Sequence, residues 1–400
     1  MTDQGQKTGC LGCAAVLALI VSLGVILMMS MAPPMVRNVL EAYRLRLMDL
    51  TGLSEPEEQT GDQALGFAGE QLSETQQSAY KQLYEQAAGL EESFAVFEVS
   101  SDDIDPAYKA LMRDHPELFW LDGSCTYLYS RMGDVVTVEP GFSVELDQVP
   151  ELQQRLEAVA DEFVASLPED ADDYQVIQAA YEYVIRNASY VPGASQSQNI
   201  QSVLLNHESV CAGYARSYQY LLHRAGLFCA FVEGAIADTS EDHAWNLVRV
   251  GDVYAHVDTT WGDPTYQEAD ERIASQDVIY DYLGLTTEEI TRDDHMIANK
   301  DELPECTSHE LDYYAREGLS FDTYDETALS ESFARQVASG QNMAMFKFAD
   351  EQAYDQAATA LAEGTFLTDD LLGIASRRGD TRMQYSYVLS DGLRIVKVYW

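Results

Sequence analysis

Basic side chains are scarce in this chain of 400 residues, where 24 Lys and Arg stand against 67 Asp and Glu. Beyond the first fifty residues the imbalance sharpens to 20 against 64. A surface of that sign repels phosphate backbones and anionic headgroups, which argues against nucleic-acid binding and against membrane docking through basic patches. Cysteine is also sparse, with six residues at 10, 13, 125, 211, 229 and 306, and their spacing offers no disulfide framework. Only Cys10 and Cys13 have the close spacing of a metal or redox motif. No second ligand pair follows them, so they read as a membrane-embedded pair or a lipidation target rather than a zinc site. A zinc set drawn from Cys211, Cys229, His243 and His256 fails on spacing. There is no Gly-rich phosphate loop, and Asp238, Glu241 and Asp242 lack the regular alternation of a calcium loop. No metal and no cofactor is expected.

What is present begins with an apolar run. Residues 9–36 hold no charge, and Cys10 to Ala32 alone spans 23 positions, enough to cross a hydrocarbon core of about 30 Å at about 1.5 Å per residue. Ser30-Met31-Ala32 resembles a signal cleavage site, but Pro33-Pro34 disfavours processing, so an uncleaved single-pass anchor is expected. Arg37, Arg44 and Arg46 follow the run and Lys7 precedes it. The positive-inside count alone would keep the long part inside. Large domains translocate largely regardless of charge, and an extracellular catalytic portion is the expectation. The organisation read from pattern is a tail at 1–9, a transmembrane helix at 10–32, a juxtamembrane helix and linker at 33–71 and an α/β segment at 72–145. A core domain follows at 146–319, and a small α/β domain at 320–400. The 46% hydrophobic content suits globular domains.

Chemistry concentrates between Val210 and Trp261. Ala212 to Ala225 holds helix formers with apolar residues at Tyr214, Tyr218, Leu221 and Leu222, and Gly226 stops it, which places Cys211 in the first helical turn. Unpaired N–H groups and the positive end of the helix dipole favour a thiolate there and supply donors to an oxyanion. Two strand-like runs, His243 to Val250 and Val253 to Thr260, are joined by Gly251-Asp252, which suits a type II′ turn. That turn sets Trp245 opposite Asp258 and His243 opposite Thr260. His243 and Asp258 then share one face as diagonal neighbours, at about 7 Å or less between Cβ atoms. A cysteine, a histidine and an aspartate so arranged are a nucleophile, a base and an orienting acid. Each alone has a plainer structural explanation, in a core cysteine, a satisfied strand histidine and a capping aspartate.

The strings Cys211-Ala-Gly-Tyr-Ala-Arg-Ser, His243-Ala-Trp-Asn-Leu-Val and Val257-Asp-Thr-Thr-Trp-Gly-Asp resemble the three motifs of the transglutaminase-like superfamily, over roughly Asn199 to Pro264. Leu118-Phe-Trp120 and Pro304-Glu-Cys-Thr with Tyr313-Tyr314 more loosely resemble the flanks of membrane-anchored bacterial members. The resemblance implies an α+β, papain-like core in which a cysteine-bearing helix packs on an antiparallel sheet bearing histidine and aspartate. It also implies Cys211 as nucleophile, His243 as base and Asp258 as orienting acid, acting on amide bonds of protein or peptide substrates by hydrolysis or by glutamine–amine transfer. The helper at the oxyanion is not fixed by the motifs: Gln201, Gln198 and Tyr190 are candidates, and Trp245, with Tyr214, Asn246 and Trp261, is expected to pack around the reactants. The loop Asn187 to Asn199 could wall a substrate cleft, and His295 is a bystander unless the fold brings it to the site. The rival reading is a surface binding or scaffolding protein that keeps the fold without turnover.

Overall fold

The computed structural model describes residues 65–129, 135–266, 276–378 and 385–400. The expected anchor at 10–32 and nearly all of the linker to residue 71 lie outside the described residues, among which no helix is long and apolar enough to cross a membrane. The chain divides into two compact units, Met1–Glu151 and Leu152–Trp400.

In the first unit, helix α1 (Glu74–Ala88) starts at a capping box in which Ser73 and Gln76 satisfy each other's backbone N–H groups. Strand β1 (Phe94–Phe97), helix α2 (Ser101–Asp114) and strands β2 (Leu121–Tyr129) and β3 (Val135–Phe142) follow, the strands pairing antiparallel in the order β1-β3-β2. Because β1 is an edge, one side of its backbone lacks a strand partner. Two glutamines of α1 supply it: Gln86 Oε1 accepts from Ala95 N at 2.7 Å and Gln82 Oε1 from Phe97 N at 2.9 Å.

Helix α3 (Val149–Ser166) runs from the end of the first unit into the second, where α4 (Asp173–Asn187) follows. The loop after α4 is not a plain connection. Its strand β4 (Ser189–Tyr190) pairs in parallel with β5 (Glu208–Ser209), and a π-helical turn (Ser202–Asn206) lies between them. Helix α5 (Cys211–Arg224) begins directly after and packs on a five-stranded antiparallel sheet. That sheet contains β6 (Cys229–Ile236), β7 (Asp242–Val250), β8 (Val253–Val257), β9 (Leu283–Leu285) and β10 (His295–Ile297), in the order β10-β6-β7-β8-β9. Helix α6 (Thr287–Arg292) joins the last two strands. The expected helix on an antiparallel sheet is present. Two of its strands, β9 and β10, were not legible in the pattern.

The β7–β8 hairpin has the register that its turn dictates, with Val250 opposite Val253 and Asn246 opposite Val257. Gly251 takes the first corner at φ +58, a conformation that L side chains avoid. The strand ends at Val257, short of the expected Thr260, because Asp258 Oδ1 accepts from both Thr260 N (2.8 Å) and Trp261 N (3.1 Å) and turns the chain.

The described residues of 320–400 form a four-stranded sheet and three helices, β11 (Ser320–Phe321), α7 (Glu326–Ala338), β12 (Met343–Phe348), α8 (Glu351–Glu363), α9 (Thr368–Arg378), β13 (Ser386–Ser390) and β14 (Ile395–Tyr399). The segment has its own apolar core, including Leu329, Phe333, Phe346, Phe366 and Val396. Its sheet also carries two buried lysines toward the preceding segment. Lys347 pairs with Glu289 at 2.7 Å and with Asp312, and Lys397 pairs with Asp281 at 2.7 Å. At the tip of the last hairpin, Gly392 O accepts from Arg292 Nε at 2.7 Å, and a Cβ on Gly392 would meet the Asp293 side chain.

Candidate active site

Cys211 is the first residue of α5 and is half-buried, as is Cys125, while Cys229 and Cys306 are buried; all four are free. Its helix can approach the preceding loop because position 213 is glycine. A Cβ there would lie 2.1 Å from Ser209 Oγ and 2.3 Å from Ser202 Oγ, far inside van der Waals contact. The glycine of the Cys-Ala-Gly-Tyr string is thus a packing requirement that places the thiol.

His243 enters from β7 and Asp258 from the turn after β8. His243 Nε2 lies 2.6 Å from Asp258 Oδ2, and both side chains are essentially out of solvent. The Cys211 thiol hydrogen-bonds the same ring. With Nε2 committed to the carboxylate, Nδ1 is the nitrogen left for sulfur. Burial opposes a charged ring, but the Asp258 charge and hydrogen bond, together with the thiol, outweigh it and raise His243 to about 10. For Asp258, burial pushes toward the neutral acid, yet the His243 charge and the bonds from His243 and His295 hold it well below the usual carboxylate range.

These shifts fix the pH dependence of stability. The raised His243 contributes fully below the ordinary imidazole value of 6.5, and its contribution is lost as pH rises through about 10. The lowered Asp258 contributes above its ordinary 3.8 and loses that contribution as pH falls. The melting-temperature difference between native chain and His243→Ala is therefore expected to peak between pH 3.8 and 6.5 and to shrink toward pH 10. A thermal-melt series across pH checks this.

The other motif residues tie the three strings together. Tyr214 Oη donates to Asp263 Oδ2 at 2.5 Å, joining the cysteine helix to the Trp-Gly-Asp turn. Asn246 Nδ2 donates to Ala215 O at 3.0 Å and to Ala230 O at 3.4 Å, joining that helix to the sheet. Trp245 is fully buried and its indole N–H donates to His256 Nδ1 at 3.1 Å. That bond takes the only donor the indole has, which leaves Trp245 as a packing group beside the site. The same bond holds His256 Nδ1 as an acceptor, and burial with the nearby His295 lowers His256 to about 3.

Of the remaining candidates, Gln198 is exposed. Tyr190 sits on β4 with its ring 4.7 Å from that of Tyr266 and 6.5 Å from that of Tyr214. Burial and the neighbouring charge of Cys211 push its hydroxyl up to about 12, leaving it a donor at neutral pH. Gln201, at the start of the π-helical turn, is buried at 5% exposure and its Nε2 has no hydrogen-bond partner. A buried amide donor left open is costly, and is the kind of group that an incoming oxygen would satisfy.

One histidine missed from sequence is here. His295, on β10, places Nε2 3.0 Å from Asp258 Oδ2. His243, Asp258 and His295 each present a ligand atom within 4.8 Å of the others, a donor set compact enough for a cation; the 2.6 and 3.0 Å contacts are hydrogen-bond distances. Cys211, Cys229, His243 and His256 form no such group among the described residues.

Three solved structures are similar to part of the chain. A TGase crystal structure shares 11% identity over 34% of this chain and 44% of its own, with a TM-score of 0.24. A protein of Cytophaga hutchinsonii, provisionally named a cysteine protease, shares 14% over 35% and 63%, with a TM-score of 0.24. A provisionally named protease of Parabacteroides distasonis shares 12% over 32% and 35%, with a TM-score of 0.20. The chain spans less than two thirds of each, and likenesses this slight carry no functional argument. No curated protein matches the sequence. Residues 158–259 match the sequence model of the transglutaminase-like superfamily, a span that includes the Cys211 helix, the His243 strand and Asp258, and the chain carries a domain of that superfamily.

Proposed function

We propose that the chain is a cysteine enzyme that acts on amide bonds through a thioester on Cys211, by peptide or isopeptide hydrolysis or by glutamine–amine transfer. It would be held at the cell surface by the apolar run at 10–32. The observation that carries this reading is the buried line from Asp258 through His243 to the Cys211 thiol.

The steps follow from that line. His243 Nδ1 takes the thiol proton, and the sulfur attacks the carbonyl carbon. The N–H groups at the start of α5 and the open Gln201 Nε2 receive the developing oxyanion. His243 returns the proton to the leaving amine, and a thioester remains. Acylation consumes the thiolate, which removes two of the influences that raise the ring. The ring can then serve as base toward water or an incoming amine, and a protein or peptide amide is the expected substrate. The scaffolding alternative draws no support from the site, because the thiol is within reach of the ring.

The test exploits the two half-buried thiols. Cys125 is raised by burial and has no histidine line behind it. Iodoacetamide at pH 7 is expected to alkylate Cys211 about 100-fold faster than Cys125 in the full chain, because the thiolate is the reactive form. Peptide mass spectrometry over time reads the two rates, and equal rates would overturn the enzyme reading. Incubation with peptide and amine donors then separates hydrolysis from transfer by product.

A further inference from the structure

We infer that His295 is a positioning residue of this site, the second imidazole that fixes the Asp258 carboxylate for His243. The inference rests on the catalytic reading above. It starts from the bonds around one carboxylate. Asp258 Oδ1 accepts two backbone N–H groups, from Thr260 and Trp261. Oδ2 accepts from His243 Nε2 at 2.6 Å and faces His295 Nε2 at 3.0 Å. Four donors around two oxygens leave the carboxyl group a single orientation. Without His295, the side of Oδ2 away from His243 would lose its donor, in a place where Asp258 has no solvent exposure.

The His295 ring is itself held. Its Nδ1 lies 2.9 Å from Asp293 O, and a carbonyl can only accept. The ring is fully buried, with centroids of Trp261 at 4.6 Å, Trp245 at 5.1 Å and His243 at 5.3 Å. Other ionisable groups around it are the Asp293 carboxyl, which feels the His295 charge and accepts from the Tyr282 hydroxyl at 2.8 Å, and His256, beyond Trp245. Asp258 is therefore the one carboxylate that faces Nε2 among the described contacts. His295 makes no described contact with the thiol; it meets the His243 ring edge to face, and its hydrogen bond goes to the carboxylate that His243 also uses.

Two variants of similar bulk separate a donor from mere filling. His295→Gln keeps an N–H near the position of Nε2; His295→Leu fills the space with none. Alkylation of Cys211 in the full chain at pH 7 is expected to slow about tenfold or more in the leucine variant, the scale seen when a group that orients a histidine's partner is removed. The glutamine variant is expected to stay within about threefold of the native rate. The proton shared by His243 and Asp258 gives a readout that needs no reactive thiol. Its downfield NMR resonance should shift or exchange away in H295L and persist in H295Q. A resonance unchanged in a folded H295L, or lost from H295Q, overturns the inference whatever the thiol does. Should H295L not fold, the glutamine variant decides alone, with the resonance in place supporting the inference and its absence ending it. Failure of the catalytic reading looks different, as a native Cys211 no faster than Cys125.

Discussion

Asp258→Asn is expected to lower kcat by about four orders of magnitude, the scale seen when the orienting acid of a nucleophile–histidine–aspartate triad loses its charge. The reason lies in the bond count at this residue. A carboxylate can accept at both oxygens, and Asp258 does: Thr260 N and Trp261 N on one, and the two imidazoles on the other. A carboxamide has one accepting oxygen and one donating nitrogen. If the nitrogen faces the imidazoles, His243 must present a bare Nε2 and carry its proton on Nδ1, where it can no longer take one from sulfur. If the nitrogen faces Thr260 and Trp261, it opposes two backbone donors in a fully buried turn. Either arrangement also removes the charge that holds His243 raised to about 10. Steady-state kinetics on an accepted peptide amide, with alkylation of Cys211 alongside, measures the loss. A kcat within tenfold of native would mean that the carboxylate does not orient the base.

The second large effect is on stability. Lys347→Met is expected to cost about 3–5 kcal/mol of unfolding free energy, because it leaves buried carboxylates without their cation. Lys347, Glu289 and Asp312 have side-chain exposures of 5%, 7% and 3%. Burial alone would raise the Glu289 carboxyl, yet the Lys347 charge and hydrogen bond bring it below its ordinary value. Burial likewise works against the ammonium, and the two acids hold it above the usual lysine value. Adding Glu289→Gln and Asp312→Asn to Lys347→Met should recover most of the loss, since uncharged partners no longer need the cation. Urea unfolding of the single and triple variants gives both numbers. A triple variant as unstable as the single one would show that packing around the lysine stem, not charge, is what matters. The network's acid side also has a sign: its Glu289 part is present above the ordinary 4.5 and is lost as pH falls.

Local signals carried much of the candidate site. A two-residue turn fixes register, so Gly251-Asp252 was enough to put His243 and Asp258 on one face. A helix start has readable punctuation, so the position of Cys211 followed from what comes after it. His295 was not legible for the opposite reason. Its strand is three residues long, too short for any period to show, and it reaches Asp258 across 37 positions. Gln201 was one candidate among several, and only its burial with an open Nε2 separates it from Gln198. Trp245 packs as its place in the motif suggested, although the sequence does not show that His256 accepts its indole N–H. The helix Thr368–Arg378 escaped because Gly373 interrupts its pattern.

The contact at the tip of the final hairpin has a consequence for how such a chain can change over generations. Gly392 holds Arg292 and abuts Asp293, and the Asp293 carbonyl orients His295. The described residues of 320–400 make no recorded contact with the thiol, yet they brace the peptide from which a carboxylate partner hangs. Recombination that exchanged this segment for an unrelated cassette would have to rebuild that brace. A lineage that keeps the cysteine is thereby pressed to keep its C-terminal neighbour.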